Sequence, residues 1–207
     1  MRLLAGHLIH SASDLANFLD CPHRTALDLL ALRDPGQAPN KTSDSEEAAL
    51  VQAQGFAHEA RYLASLKATG RQVTEIQAGP GELDRAVSET LAALRRGDDI
   101  IYQAALRQGP FAGHADFLVR VPGDSALGPW HYEVADTKLA RVPKAKFLIQ
   151  LSFYADLLAD IQGRLPERVH LQFGDGGERA FRTADYLAYF KTLRTRYLDF
   201  VEQSPQE

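Results

Sequence analysis

Three residues in the second half of the chain have the types and spacing for phosphoryl chemistry: Asp116, Asp136 and Lys138. In YEVADTKLA, strand alternation puts Val134, Asp136 and Lys138 on one face and Glu133, Ala135 and Thr137 on the other. Asp116 belongs to the preceding apolar run, GHADFLVR. If these two runs pair as neighbouring strands, its carboxyl comes close to that of Asp136. Two adjacent carboxylates repel and resist joint ionisation. Mg²⁺ or Mn²⁺ removes that penalty, because both favour carboxylate oxygen and keep some of their waters. Such an ion acidifies a bound water and polarises a phosphoryl oxygen. Lys138 can orient that water or offset charge developing at phosphorus. These are the parts needed to hydrolyse a phosphodiester. Asp-x-Lys spacing alone is equally met by a structural salt bridge, and the preceding aspartate is what raises the signal.

The elements that must position this trio follow from periodicity and caps. Ser11 and Ser13 are candidate N-caps before Leu15, Phe18 and Leu19, and Pro22 opens a second helix to about Leu32. RDPGQAPNKTSDS is a loop. A long helix from about Glu46 to Lys67 follows, its apolar stripe being Ala49, Ala53, Phe56, Ala60 and Leu63. RQVTEIQ predicts a short strand, and GELDRAVSETLAALRRG a helix ended by Gly97. IIYQAALR, FAGHADFLVRV and WHYEVADTKL then read as three successive strands, with turns at 109–110 and 122–129. A helix from about Lys144 to Ile161, a strand RVHLQF, the turn GDGG and a helix from Ala184 to Glu202 complete the chain. The fold class is α/β: an antiparallel meander within a mixed sheet, flanked by helices, with a helical N-terminal part. A single domain is expected, with residues 1–45 as N-terminal helical segment and loop, 46–202 as the core, and 203–207 as tail or linker.

The motifs, taken in order, resemble the PD-(D/E)xK nuclease superfamily, specifically its RecB-like branch. The matching residues are Asp116 in a Gly-x-x-Asp strand, Asp136 and Lys138 in an Asp-x-Lys strand, and Gln150 with Tyr154 in QLSFYADLL. Upstream, Gly55 and His58 in GFAHEA fit a Gly-x-x-His helix, and SASDLANFLDCPHRTAL resembles the branch's opening segment. The resemblance implies a restriction-endonuclease-like core and a nuclease that hydrolyses DNA with a metal-activated water, leaving a 5′-phosphate. Repair, recombination or defence would be its setting. It implies His58, Asp116, Asp136 and the backbone carbonyl of Thr137 as metal ligands. Asp116, Asp136, Lys138, Gln150 and Tyr154 would form the catalytic set, and the cofactor would be Mg²⁺ or Mn²⁺.

The residues themselves leave other readings open. His58 lies about 200° around the helix from Phe56, so it faces away from the predicted stripe, where a solvated histidine is the ordinary occupant. Gln150 and Tyr154, at i and i+4, share a helix face and could steady a phosphate or simply pack. Glu133 falls on the wrong strand face. Glu59 is one step around the helix from His58, as a solvated group or a partner of the ligands. His114 shares the parity of Asp116 and could contact phosphate. Arg141, Lys144 and Lys146 follow the Asp-x-Lys strand where a nucleic-acid backbone could dock. Lys191, Arg194 and Arg196 on the last helix read as surface charge.

Composition sets bounds. The chain has 207 residues, 45% apolar and 24% charged, enough for one well-packed domain. A net charge of −4 gives no global basic field, so any polyanion site is local. Cys21 is the single cysteine, which excludes an internal disulfide and an iron–sulfur cluster; it is expected to be a small buried residue. No P-loop pattern occurs, so a helicase motor would be a separate partner or fused domain. No stretch approaches a membrane span, and the reading is a cytoplasmic protein acting on single- or double-stranded DNA. The alternative function is a catalytically silent nucleic-acid-binding module of the same fold, accessory to a helicase.

Overall fold

A computed structural model of the chain describes residues 1–39, 45–77, 79 and 81–204. The meander predicted from alternation is the centre of the molecule. β4 (Ile100–Gln108), β5 (Phe111–Ser125) and β6 (Gly128–Lys138) pair antiparallel in sequence order. Both edges extend by parallel pairing, each through a helical crossover. β3 (Val73–Glu75) lies beside β4 across helix α4 (Leu83–Arg96), and β7 (Arg168–Phe173) beside β6 across α5 (Ala145–Gln162). β8 (Glu178–Arg182) closes the far edge, giving a mixed six-stranded sheet in the order β3-β4-β5-β6-β7-β8.

Alternation along the strands separates two cores. Leu118, Val134, Ile101 and Leu171 join the larger one with Leu151, Leu158 and Ala155 of α5 and Ala86 and Leu94 of α4. Phe117, Ala135 and Ile100 form the smaller one with Leu63 of α3 (Glu46–Ala68), Tyr62 and Leu66 packing around it. Helices α1 (Ala12–Asp20), α2 (Pro22–Arg33) and α6 (Ala184–Gln203) complete the larger side, with α1 and α6 both against α5. The helix ends follow their caps. Ser11 and Asp14 make a reciprocal capping box on α1, and Gly97 ends α4 in the left-handed region at φ 75°. None of the described helices is long and apolar enough to cross a membrane.

Five expectations are corrected. The N-terminal part does not begin with helix: β1 (Arg2–Leu4) and β2 (His7–Ile9) form a hairpin, turned by Ala5 and Gly6 at φ 47° and 81°. The expected turn at 122–129 is mostly strand, since β5 continues to Ser125 and only Ala126 and Leu127 separate it from β6. β8 was not expected; ERAFR is polar and lies at the edge. The stripe assigned to α3 is buried only at its last member, Leu63. Phe56 is 64% exposed and Ala49, Ala53 and Ala60 are exposed, while His58 and Leu63 are the buried residues of that helix. The 203–207 tail starts inside the helix, since α6 runs to Gln203; residues 205–207 lie outside the described part, as do 40–44 of the predicted loop.

Candidate functional site

The site forms where two strands stop pairing. The β5–β6 ladder runs through Leu118↔Val134 to Phe117↔Ala135 and ends there. Asp116 and Asp136 are the next residue on each strand. From this point β6 continues alongside β7, with Asp136 opposite Leu171, Thr137 opposite Gln172 and Lys138 opposite Phe173. The two carboxyls therefore face one another at the mouth of a splay. Asp136 is 3% exposed, and neither of its side-chain oxygens makes a well-formed hydrogen bond. Its one close partner is Lys138, whose Nζ is 2.5 Å from Oδ2 and 5.5 Å from the centre of the Phe147 ring in the first turns of α5. The Asp116 carboxyl is held well above the usual carboxylate range, first by burial and then by the charge of Asp136 and a shared hydrogen bond with it. Lys138 acts in the opposite sense. Such a pair accommodates one proton or one cation more readily than two bare charges.

Helix α5 supplies the wall over the acids. Tyr154 is buried, and its phenol is pushed well above its ordinary range by burial and then by Asp116 and Asp136. It accepts a hydrogen bond from the His114 backbone N–H. The glycine of Gly-x-x-Asp has a local reason here. A Cβ at Gly113 would stand 2.8 Å from the Tyr154 hydroxyl, so the strand passes the phenol only as glycine. Gln150, one turn earlier on the same face, lines a cavity of about 460 Å³ together with Arg2, Ser13, Gly113, His114 and Tyr154. His114 also borders a second cavity of about 590 Å³, which Gln77, Glu82, Arg85 and Gln103 line on the other side. Its Nε2 is buried and without a hydrogen bond, and its ring is held below the usual histidine value by burial and by Arg2.

Helix α3 approaches from the opposite side of the sheet. His58 is buried on it, with Nε2 3.5 Å from the carbonyl oxygen of Gln172, the residue paired with Thr137. The imidazole thus contacts β7, and Thr137 is buried on the strand between. Glu59, set aside in the sequence as solvated or supporting, is the α3 acid whose charge reaches Asp116. It accepts a 2.6 Å hydrogen bond from Gln103 Nε2. Gln103 stands across from Asp116 in the β4–β5 register and has φ 54°, a left-handed conformation for a non-glycine residue in mid-strand. Periodicity gives no sign of that conformation, so this contact could not be read from the sequence.

The remaining predicted residues sort by their partners. Arg141 and Lys144 are exposed and have no ion-pair partner among the described residues, whereas Lys146 lies 3.7 Å from Asp20. Lys191 and Arg194 both engage Asp156, and Arg194 also stacks on Phe111 and Phe190. Glu133 lies on the other face from Asp136, as strand parity predicts: it accepts from the Arg168 N–H at 3.0 Å and meets His170 at 2.7 Å. Cys21 is exposed, not buried, because it is the junction residue that ends α1 and precedes α2. The structure thus unites Asp116, Asp136, Lys138 and Tyr154, places Gln150 in the adjoining cavity, and turns His58 toward β7. Among the described residues no three histidine, cysteine, aspartate or glutamate side chains already converge as a metal cage. No protein-family model matches the chain, and no curated protein matches it.

Proposed function

We propose that this chain is a divalent-metal-dependent DNA nuclease with a restriction-endonuclease-like core of the RecB-like kind. The observation that carries the reading is the juxtaposition of Asp116, Asp136 and Lys138 where β5 and β6 part, under Tyr154 of α5. The donor chemistry fits a hard cation. Asp136 offers two buried oxygens whose one close cationic partner is Lys138, and Asp116 is held above its ordinary range by burial and then by the charge of Asp136. Asp116 and Asp136 would hold Mg²⁺ or Mn²⁺, with His58 and the Thr137 carbonyl as the further ligands that the resemblance names. When bound, the ion supplies an acidified water and polarises a phosphoryl oxygen.

The chain's own groups do the rest. Lys138 holds a positive charge against Asp136 and offsets negative charge growing on the phosphate. Phe147 lies beneath that ammonium, 5.5 Å from Nζ to the ring centre, and the Lys138 side chain is only partly exposed. Tyr154 stays a neutral phenol and orients groups by hydrogen bonding. Gln150 faces the cavity beside it. Arg141 and Lys144, exposed after β6, are placed to contact the nucleic-acid backbone.

One observation favours a second reading, a silent nucleic-acid-binding module that serves a helicase: no three metal-binding side chains converge among the described residues. Labelled single- and double-stranded DNA incubated with Mg²⁺ or Mn²⁺ decides between them. The nuclease reading requires metal-dependent cleavage that is lost in Asp116→Ala and Lys138→Ala. DNA binding without cleavage by any form establishes the silent module.

A further inference from the structure

Gln103 and Glu59 have no part in the motifs, yet they stand against the acid pair in a strained arrangement. Gln103 is the one described non-glycine residue inside a strand of the main sheet with positive φ, at 54°. Such a backbone is strained for a residue with a side chain and persists where surroundings hold it. Strict alternation would aim its side chain to the face of Ile101, into the larger core. Its amide instead reaches Glu59 on α3, which covers the face of Tyr102 and Phe117. The Tyr102 phenol interacts with the same carboxylate and is pushed up to about 12, by burial first and then by Glu59. Glu59 is therefore clamped by two β4 residues at the level of Asp116. A second observation points to a ligand here: Asp136 is 3% exposed and faces Asp116, neither of its oxygens makes a well-formed hydrogen bond, and the ammonium of Lys138 reaches only Oδ2.

We infer that Glu59, clamped by Gln103 and Tyr102, is a positioning carboxylate for a divalent cation held by Asp116 and Asp136, accepting hydrogen bonds from the waters of that ion. This rests on the metal-dependent reading above. Ions of this kind keep several waters, and an oriented acceptor outside the direct ligands tunes affinity through them. The strain at Gln103 then has a use, since a regular strand at that position would leave Glu59 held by Tyr102 alone.

Titration calorimetry of the full chain with Mn²⁺ alone tests this, alongside melting of the metal-free protein. Wild type is expected to bind, and Asp136→Asn to lose binding. Glu59→Gln, which keeps a partner for Gln103, should weaken Mn²⁺ binding by about 10–100-fold with an unchanged melting temperature. Gln103→Gly should weaken it comparably while melting no lower than wild type, because glycine accepts the left-handed backbone. Unchanged Mn²⁺ affinity in Glu59→Gln overturns the inference and leaves the metal reading intact. Absence of Mn²⁺ binding by wild type overturns both.

Discussion

Replacing Gly113 with alanine tests how the strand, the helix and the acids are fitted together. The added Cβ would lie 2.8 Å from the Tyr154 hydroxyl, 3.1 Å from Cε1 and 3.4 Å from Cζ. The backbone is not the obstacle, because Gly113 is not among the positive-φ glycines. Carbon and oxygen at 2.8 Å are well inside contact distance, and the ring cannot retreat freely. Tyr154 is 7% exposed and sits edge-on to Phe153 with ring centres 5.2 Å apart. Overpacking of this kind costs about 1–3 kcal/mol. The loss of chain entropy in the unfolded state returns about 0.4–1 kcal/mol. A net destabilisation of about 1–2 kcal/mol is therefore expected, or a fall in melting temperature of about 2–8 °C for a chain of this length. Tyr154→Phe removes the closest atom. In that background the alanine should cost no more than about 0.5 kcal/mol, so the two substitutions couple by about 1 kcal/mol. Urea denaturation of wild type, both single variants and the double variant measures this. An equal cost of alanine in both backgrounds would refute the account of why that motif begins with glycine.

Other expectations concern the far face, the surface and the cations. His170 is raised from its ordinary 6.5, with hydrogen bonds to Glu133 and Glu178 outweighing burial, while Glu133 is lowered from 4.5 as its hydrogen bonds to His170 and the Arg168 backbone outweigh burial. The histidine's contribution is complete below about 6.5 and fades as pH rises through its folded value; that of Glu133 fades as pH falls below about 4.5. Thermal stability should thus fall between about pH 6 and pH 8 in wild type by more than in His170→Gln, and parallel profiles would count against the clamp. Phe56→Ala should change stability by less than about 0.5 kcal/mol, since the ring faces solvent; a loss typical of a core phenylalanine, about 3–5 kcal/mol, would return Phe56 to the core. Arg141→Gln and Lys144→Gln should each weaken DNA binding at all sequences and reduce the salt slope by about 1, which binding titrations at several salt concentrations read directly.

The acid pair was legible because strand parity is a strict rule. Val134, Asp136 and Lys138 had to share a face, Glu133 had to leave it, and the turn at 109–110 with the long apolar runs made β4, β5 and β6 neighbours. Helix ends were legible where side chains or glycine mark them, as at Ser11 and Gly97. The rest failed for physical reasons. On α3 the apolar stripe is buried only at Leu63, because residues 46–54 are exposed on every side and it is the second half of the helix, with Tyr62, Leu63 and Leu66, that packs on the sheet; periodicity along a helix does not say how much of its length is covered. Three-residue strands such as β1 and β2 are too short to show alternation, and the polar edge strand β8 buries too little to need it. Cys21 looked like core by type, but its place between two helices exposes it. Gln103 carries no sequence mark of its left-handed backbone, and Glu59 gained its role only through that residue.

The most direct test of the central claim is cleavage of end-labelled DNA under single-turnover conditions, with Mn²⁺ present or chelated, by wild type, Asp136→Asn and Lys138→Ala. Wild type is expected to cleave only with the metal present and to leave a 5′-phosphate. In both variants cleavage should fall by at least about 10²–10³, the scale of losing a group that stabilises transition-state charge. Cleavage that persists under chelation, or that survives in Asp136→Asn, would contradict it.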